Sequence, residues 1–174
     1  ALDTYKKASK LAQALNDTSA LLRSGLNLAN LQSILGQTHE ARTTLSNLEF
    51  LSRYQQFKTE GSYIKLLRLD LELLEASLPA DFHKQLRNLE SALEQEGLHA
   101  ALEEATLLRL KAESVTEPNQ TTIVALLDWS KRPLETGRET LALQGLFALV
   151  RSLSHLVDIA SEDGPLQVSR RETA

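Results

Sequence analysis

The chain has no cysteine and no methionine, and only seven glycines and four prolines among its 174 residues; aromatic side chains make up 5%. Without cysteine there is no disulfide, no thiolate metal ligand and no thiol nucleophile. Cysteine-free chains occur in the cytosol and the periplasm alike, so this absence does not fix the compartment. Sparse Gly and Pro leave few points at which a helix must stop. No apolar run approaches the roughly 20 residues a membrane-spanning helix needs, and no signal peptide opens the chain. Methionine is missing even at position 1, which leads us to expect a processed product or a fragment of a longer protein. Positive charge is also short: 19 Lys and Arg stand against 23 Asp and Glu, a net charge of −4. With no basic stripe to release counterions from phosphate, nucleic acid is not an expected partner.

What remains is apolar content of 42%, carried mostly by Leu and Ala, which favour helix over strand. Apolar residues recur at helical spacing almost throughout, and strict alternation is scarce. The spacing predicts helices over about 1–15, 19–35, 38–53, 62–77, 79–95, 98–113, 120–131 and 136–160. In the first, Leu2, Tyr5, Ala8, Leu11, Ala12 and Leu15 fall on one side. Asn16-Asp17-Thr18-Ser19 supplies capping oxygens for the second, Thr38 for the third and Asn119 for the seventh. Gly36 and Gly97 suit turns that need a positive φ. Pro79 fits a first helical turn, Pro133 ends the seventh helix, and Thr136-Gly137-Arg138-Glu139 reads as a capping box. Helices joined by such short connections pack as antiparallel neighbours. The predicted class is all-α, with one helical domain over 1–164 and a polar tail over 165–174.

Residue types that carry chemistry do not converge. Glu96-Gly97-Leu98-His99 has the Glu-x-x-His spacing of di-iron sites, but no second copy exists and Gly97 breaks it across a turn. Ser154, His155 and Asp158 include the types of a hydrolytic triad. Adjacent residues on a helix point about 100° apart, however, so Ser154 cannot face His155. No phosphate-binding or nucleophile-elbow motif is present. We expect no catalytic residues, no metal and no cofactor. Trp129 reads as a core residue. The stripe Leu143, Leu146, Phe147, Val150, Leu153 and Val157 on the last helix would, if exposed, mark possible self-association.

One repeat is visible. Leu26-Asn27-Leu28-Ala29-Asn30-Leu31, then Leu35-Gly36, Ala41, Leu45 and Leu48, resembles the tetratricopeptide pattern, with Leu28, Ala29, Gly36 and Ala41 at its small and turn positions. Ala1, Tyr5 and Ala8 look like the second helix of a preceding repeat, and Ala1 to Ala41 is a spacing of 40 residues rather than the common 34. This resembles the longer subclass found in kinesin light chains, in bacterial regulators of the maltose-activator type and in proteins joining repeats to a caspase-like protease. The match is good over about residues 1–53, fair to about 95 and only architectural beyond. Leu69, Leu86 and Leu89 lie 41 residues beyond Leu28, Leu45 and Leu48, while Asp70, Ser77 and Phe82 replace Ala29, Gly36 and Ala41.

The resemblance implies antiparallel helix pairs stacked as a right-handed superhelix of about eight helices, the long last one a cap. It implies a non-catalytic scaffold whose partner is a protein or peptide, or alternatively a sensory segment of a larger regulatory protein. The first helix of each pair lines the inner face in this family. By position Arg23, Asn27 and Asn30 then become candidate peptide-binding residues, the Asn amides for a peptide backbone and Arg23 for a carboxylate.

Overall fold

The computed structural model describes residues 1–54, 57–74, 78–116, 119–135, 143, 145–150 and 153–154. Among these the protein is all-helical: α1 (Leu2–Ala14), α2 (Thr18–Ile34), α3 (Thr38–Tyr54), α4 (Lys58–Leu74), α5 (Phe82–Gln95), α6 (His99–Thr116) and α7 (Gln120–Glu135). Residues 145–150 are helical as well. The chain divides into two compact units, Ala1–Arg109 and Leu110–Ala174. The capping box at 136–139, Val157 and the polar tail lie outside the described residues.

The helix ends follow from local chemistry. The Asp17 side chain accepts a hydrogen bond from the Ala20 N–H at 2.9 Å, and that of Asn119 accepts from the Thr122 N–H at 2.9 Å, so each fills an orphan donor of a first turn. Asn16, Gly36 and Gly97 take positive φ, at 53°, 72° and 68°. Each ends a helix whose last free carbonyls are then satisfied by the N–H groups that follow. Thr38 is itself the first residue of α3 rather than its cap.

Several boundaries differ from those the spacing predicts; α6, for one, runs to Thr116 rather than 113. Helix α4 begins at Lys58, four residues early, and takes in Gly61, whose N–H donates to the Phe57 carbonyl at 3.0 Å. The turn bond from the Phe57 N–H to the Ser52 carbonyl at 3.0 Å holds that start in place, so tertiary and turn constraints override the low helix propensity of glycine. Helix α5 begins at Phe82 because the Pro79 carbonyl accepts the Phe82 N–H in a turn. Helix α7 runs through Pro133 to Glu135. Pro133 has no N–H, so the helix continues past it without the bond that this residue would donate to the Trp129 carbonyl.

In the first unit, sequential helices pack as neighbours, and α2 also touches α4. The core gathers Leu22, Ala29, Ala41, Leu45, Leu48, Ile64 and Leu71, with Leu26, Leu51, Phe57 and Leu67 against it. Gly25 allows α2 and α3 to close up, since a Cβ there would meet Leu48 Cδ2 at 2.6 Å. Helix α4 lies among α2, α3 and α5 and buries residues on two sides, Ile64 and Leu71 on one, Leu66, Leu69 and Leu73 on the other. Helix α1 is the opposite case. Its apolar stripe is only partly buried: Ala12 is buried, Leu2 and Tyr5 are half-buried, and Leu11 and Leu15 are 62% and 69% exposed. Among the described residues α1 packs on α2 alone, and one neighbour covers only a narrow strip of a helix.

The internal repeat runs further in three dimensions than in the sequence. The buried residues of α3 are Ala41, Leu45, Leu48 and Ser52; those of α5 are Phe82, Leu86, Leu89 and Leu93, each 41 positions on. Five buried pairs link α4 and α6 at the same offset, Ile64 with Ala105, Leu66 with Leu107, Leu69 with Leu110, Leu71 with Ala112 and Leu73 with Ser114. In α7, Thr122, Leu126 and Trp129 repeat Phe82, Leu86 and Leu89 at 40. The turn bond recurs too: Asp17 N–H to Ala12 at 2.9 Å, Phe57 to Ser52 at 3.0 Å and Leu98 to Leu93 at 2.9 Å. So does an ion pair between helices. Arg68 meets Glu49 at 2.5 Å, and 41 residues later Arg109 meets Glu90 at 3.2 Å.

In the second unit Trp129 is buried, as its place in the sequence suggests, and packs with Ser130 against Gly145. On the last helix Leu146 is half-buried, whereas Leu143, Phe147, Val150 and Leu153 are exposed.

Because Leu45 and Leu86 hold equivalent, fully enclosed places, Leu45→Ala and Leu86→Ala should each cost about 2–5 kcal/mol, the range for a truncated core leucine. Urea denaturation should show similar losses for the two; a large loss at one and none at the other would contradict the repeat. Gly97→Ala, with open space around its Cβ, should cost about 1 kcal/mol from backbone strain alone.

Candidate functional site

A groove opens in the first unit between the even-numbered helices. Arg23, Leu26, Asn27 and Asn30 come from α2, Thr59, Glu60, Tyr63 and Leu67 from α4, and Glu104 from α6, around a volume of about 420 Å³. The spacing is helical on each wall: positions three, four and seven apart on α2, and one, four and eight apart on α4, so each helix presents a single face. Leu26 and Leu67 give an apolar floor, and the remaining side chains are polar. All three residues singled out in the sequence, Arg23, Asn27 and Asn30, line this one groove.

The repeat register explains why α2, α4 and α6 supply it. Tyr63 is 40 residues beyond Arg23, and Glu104 is 41 beyond Tyr63. These offsets are those of the recurring turn bonds. The three side chains therefore hold one structural position in successive repeats, filled by a cation, a phenol and a carboxylate.

Arg23 Nε lies 3.9 Å from Glu60 Oε1, beyond hydrogen-bond length. The arginine side chain is 75% exposed and the glutamate 15%, so this contact contributes at most about 1 kcal/mol. Asn27 and Asn30 are exposed, and among the described residues neither amide has a hydrogen-bond partner. Burial raises the pKa of the Tyr63 phenol above the ordinary tyrosine value, and the negative charge of Glu104 raises it further. Both effects disfavour the phenolate.

The residues considered for chemistry lie elsewhere. Glu96 closes α5 and His99 opens α6, with Gly97 at positive φ between them. The Ser154 hydroxyl donates to the Val150 carbonyl of its own helix at 3.0 Å; His155 and Asp158 lie outside the described residues. Among the described residues no three His, Asp or Glu side chains converge on a possible metal position, and no helix is long and apolar enough to cross a membrane.

A second concavity of about 380 Å³ involves α3, α4 and α5, including Glu49, Arg53, Lys58 and Lys65. Its Glu49 is already held by Arg53 and Arg68. Reading the sequence missed Thr59, Glu60, Tyr63 and Glu104 as groove residues. The 40- and 41-residue offsets from Arg23 are the signal that could have found Tyr63 and Glu104.

No protein-family model, no curated protein and no solved structure matches this chain.

Tyr63 carries a pH signature. Its raised pKa means the folded state binds the phenolic proton more tightly than the unfolded chain. The stability this contributes is complete below about pH 10, the unfolded value, and is lost as pH rises through the folded pKa. In a tyrosinate absorbance titration, Tyr63→Phe should remove a component that ionises above the ordinary range. Glu104→Gln should lower that component's pKa without normalising it, because burial is the larger cause.

Proposed function

We propose that this protein is a non-catalytic scaffold of the tetratricopeptide type, and that the groove between α2, α4 and α6 takes an extended segment of a protein or peptide. One observation carries the reading. Three residues chosen from a family pattern, Arg23, Asn27 and Asn30, come together with equivalent positions of two later repeats around one cavity. The antiparallel order, the 40- and 41-residue periods and the turn at Gly36 fit the long subclass. A right-handed superhelix built from such pairs carries its first helices on the concave face, which is the role α2, α4 and α6 have in this reading.

The chemistry suits a main chain. An extended peptide carries a donor and an acceptor at every residue, and an asparagine amide can answer both. Asn27 and Asn30 are one helical turn apart on α2, so their amides form a short row along the groove. Leu26 and Leu67 would receive an apolar side chain, and the charged rim sets which other side chains are accepted.

A random hexapeptide pool passed over the immobilised protein should leave a retained fraction. Asn27→Ala with Asn30→Ala should reduce that retention by roughly 10- to 100-fold, as two hydrogen bonds of about 1 kcal/mol each are lost. Far-UV circular dichroism should be unchanged. Undiminished retention by the folded double variant would remove the groove from the reading.

A further inference from the structure

We propose that the groove selects a peptide segment carrying a lysine or arginine side chain, seated on the Tyr63 ring between the carboxylates of Glu60 and Glu104. This rests on the reading of the groove as a peptide site and adds the chemistry of its guest.

The sequence suggests the opposite polarity, with Arg23 waiting for a carboxylate. In the structure Arg23 faces Glu60, and the surrounding charge is negative. Two carboxylates and one guanidinium line the cavity, and the guanidinium belongs to its most exposed charged side chain, 75% open to solvent. Long exposed arginines change rotamer at little cost, so the only cation of the lining is also its most easily displaced member.

Glu60 is placed differently. Its side chain is only 15% exposed, and its nearest cation stands at 3.9 Å. Among the described residues it accepts no hydrogen bond. A carboxylate largely withdrawn from water with unfilled acceptors is costly unless a charged donor reaches it. Its place in the first turn of α4 offsets part of that cost through the helix dipole. An ammonium or guanidinium from a guest would supply the close donor that Arg23 does not.

Glu104 bounds the other side. It is half-buried and near enough to Tyr63 to act on the phenol electrostatically. Its negative charge contributes to the field in the groove whatever neighbour it keeps. Tyr63 sits one helical turn from Glu60 and within electrostatic reach of Glu104, and an aromatic face attracts a cation stacked on it. An acidic guest drawn to Arg23 would have to enter beside both carboxylates, where like charges repel.

The test uses the intact chain, immobilised, and the same random hexapeptide pool, with retained peptides identified by mass spectrometry. The expected result is enrichment of Lys and Arg. That enrichment should fall at least about tenfold in Glu60→Gln/Glu104→Gln, as charge-assisted hydrogen bonds are lost, and persist in Glu94→Gln, an exposed control on α5. Arg23→Gln removes the competing internal cation and should increase retention of the basic peptides. This readout does not depend on the double variant folding. Enrichment of Asp and Glu that disappears in Arg23→Gln overturns the proposal while leaving the groove as a peptide site. So does retention without charge preference that Asn27→Ala/Asn30→Ala abolishes. If no peptide is retained, the proposal and the peptide-site reading fall together.

Discussion

The architecture depends on one backbone hydrogen bond, made four times among the described residues. In the connections from α1 to α2, α2 to α3, α3 to α4 and α5 to α6, an N–H reaches back five residues to a carbonyl: Asp17 to Ala12, Gln37 to Gln32, Phe57 to Ser52 and Leu98 to Leu93. The bond satisfies a carbonyl that a helix end would leave open, and it sets where the next helix can begin. The bonds that precede α2, α4 and α6 fall 40 and 41 residues apart, the same offsets as Arg23, Tyr63 and Glu104. A groove lined by Arg23, Tyr63 and Glu104 follows from that register.

Around this turn, burial is conserved in space while side-chain identity is not. Ala41, Phe82 and Thr122 share one position and differ widely in volume, yet all are buried. A helix pair can accept either a small residue with close approach or a large one with wider spacing, provided the space is filled. The pairs Glu49–Arg68 and Glu90–Arg109 show the complementary behaviour. There the same two residue types recur, each bridging an odd-numbered helix to the even-numbered one that follows. Partly exposed ion pairs of this kind contribute little stability. Their value is geometric, since they favour one alignment of neighbouring helices over its slipped alternatives.

Different signals were legible to different depths. Capping by Asp17 and Asn119 and the positive φ of Gly36 and Gly97 follow from residue type alone, because each solves a local problem of one helix end. The burial of Trp129 was also legible. The start of α4 was not, since glycine at 61 and the polar stretch before it point to a linker. Nor was the fate of α1: six apolar residues at helical spacing predict a buried stripe, but Leu11 and Leu15 stand open. Periodicity states which face could be buried, and only neighbouring helices decide how much of it is. The groove was half legible. A family pattern located the α2 wall, while the α4 and α6 walls carry different residue types and offer no motif to match.

The sequence by itself determined the all-helical class, the caps at Asp17 and Asn119 and the turns at Gly36 and Gly97, because these arise from interactions within a few residues of one another, and a period near 40 could be read from its first 50 residues. Only the tertiary structure decided that the repeat persists through α6, at 41 residues, and α7, at 40, where identities have diverged. It also decided that Arg23 faces Glu60, and that Tyr63 and Glu104 complete a cavity begun by Asn27 and Asn30. Those relations join residues 33 to 77 positions apart, and a repeat conserved in packing rather than in side-chain type leaves little trace along the chain.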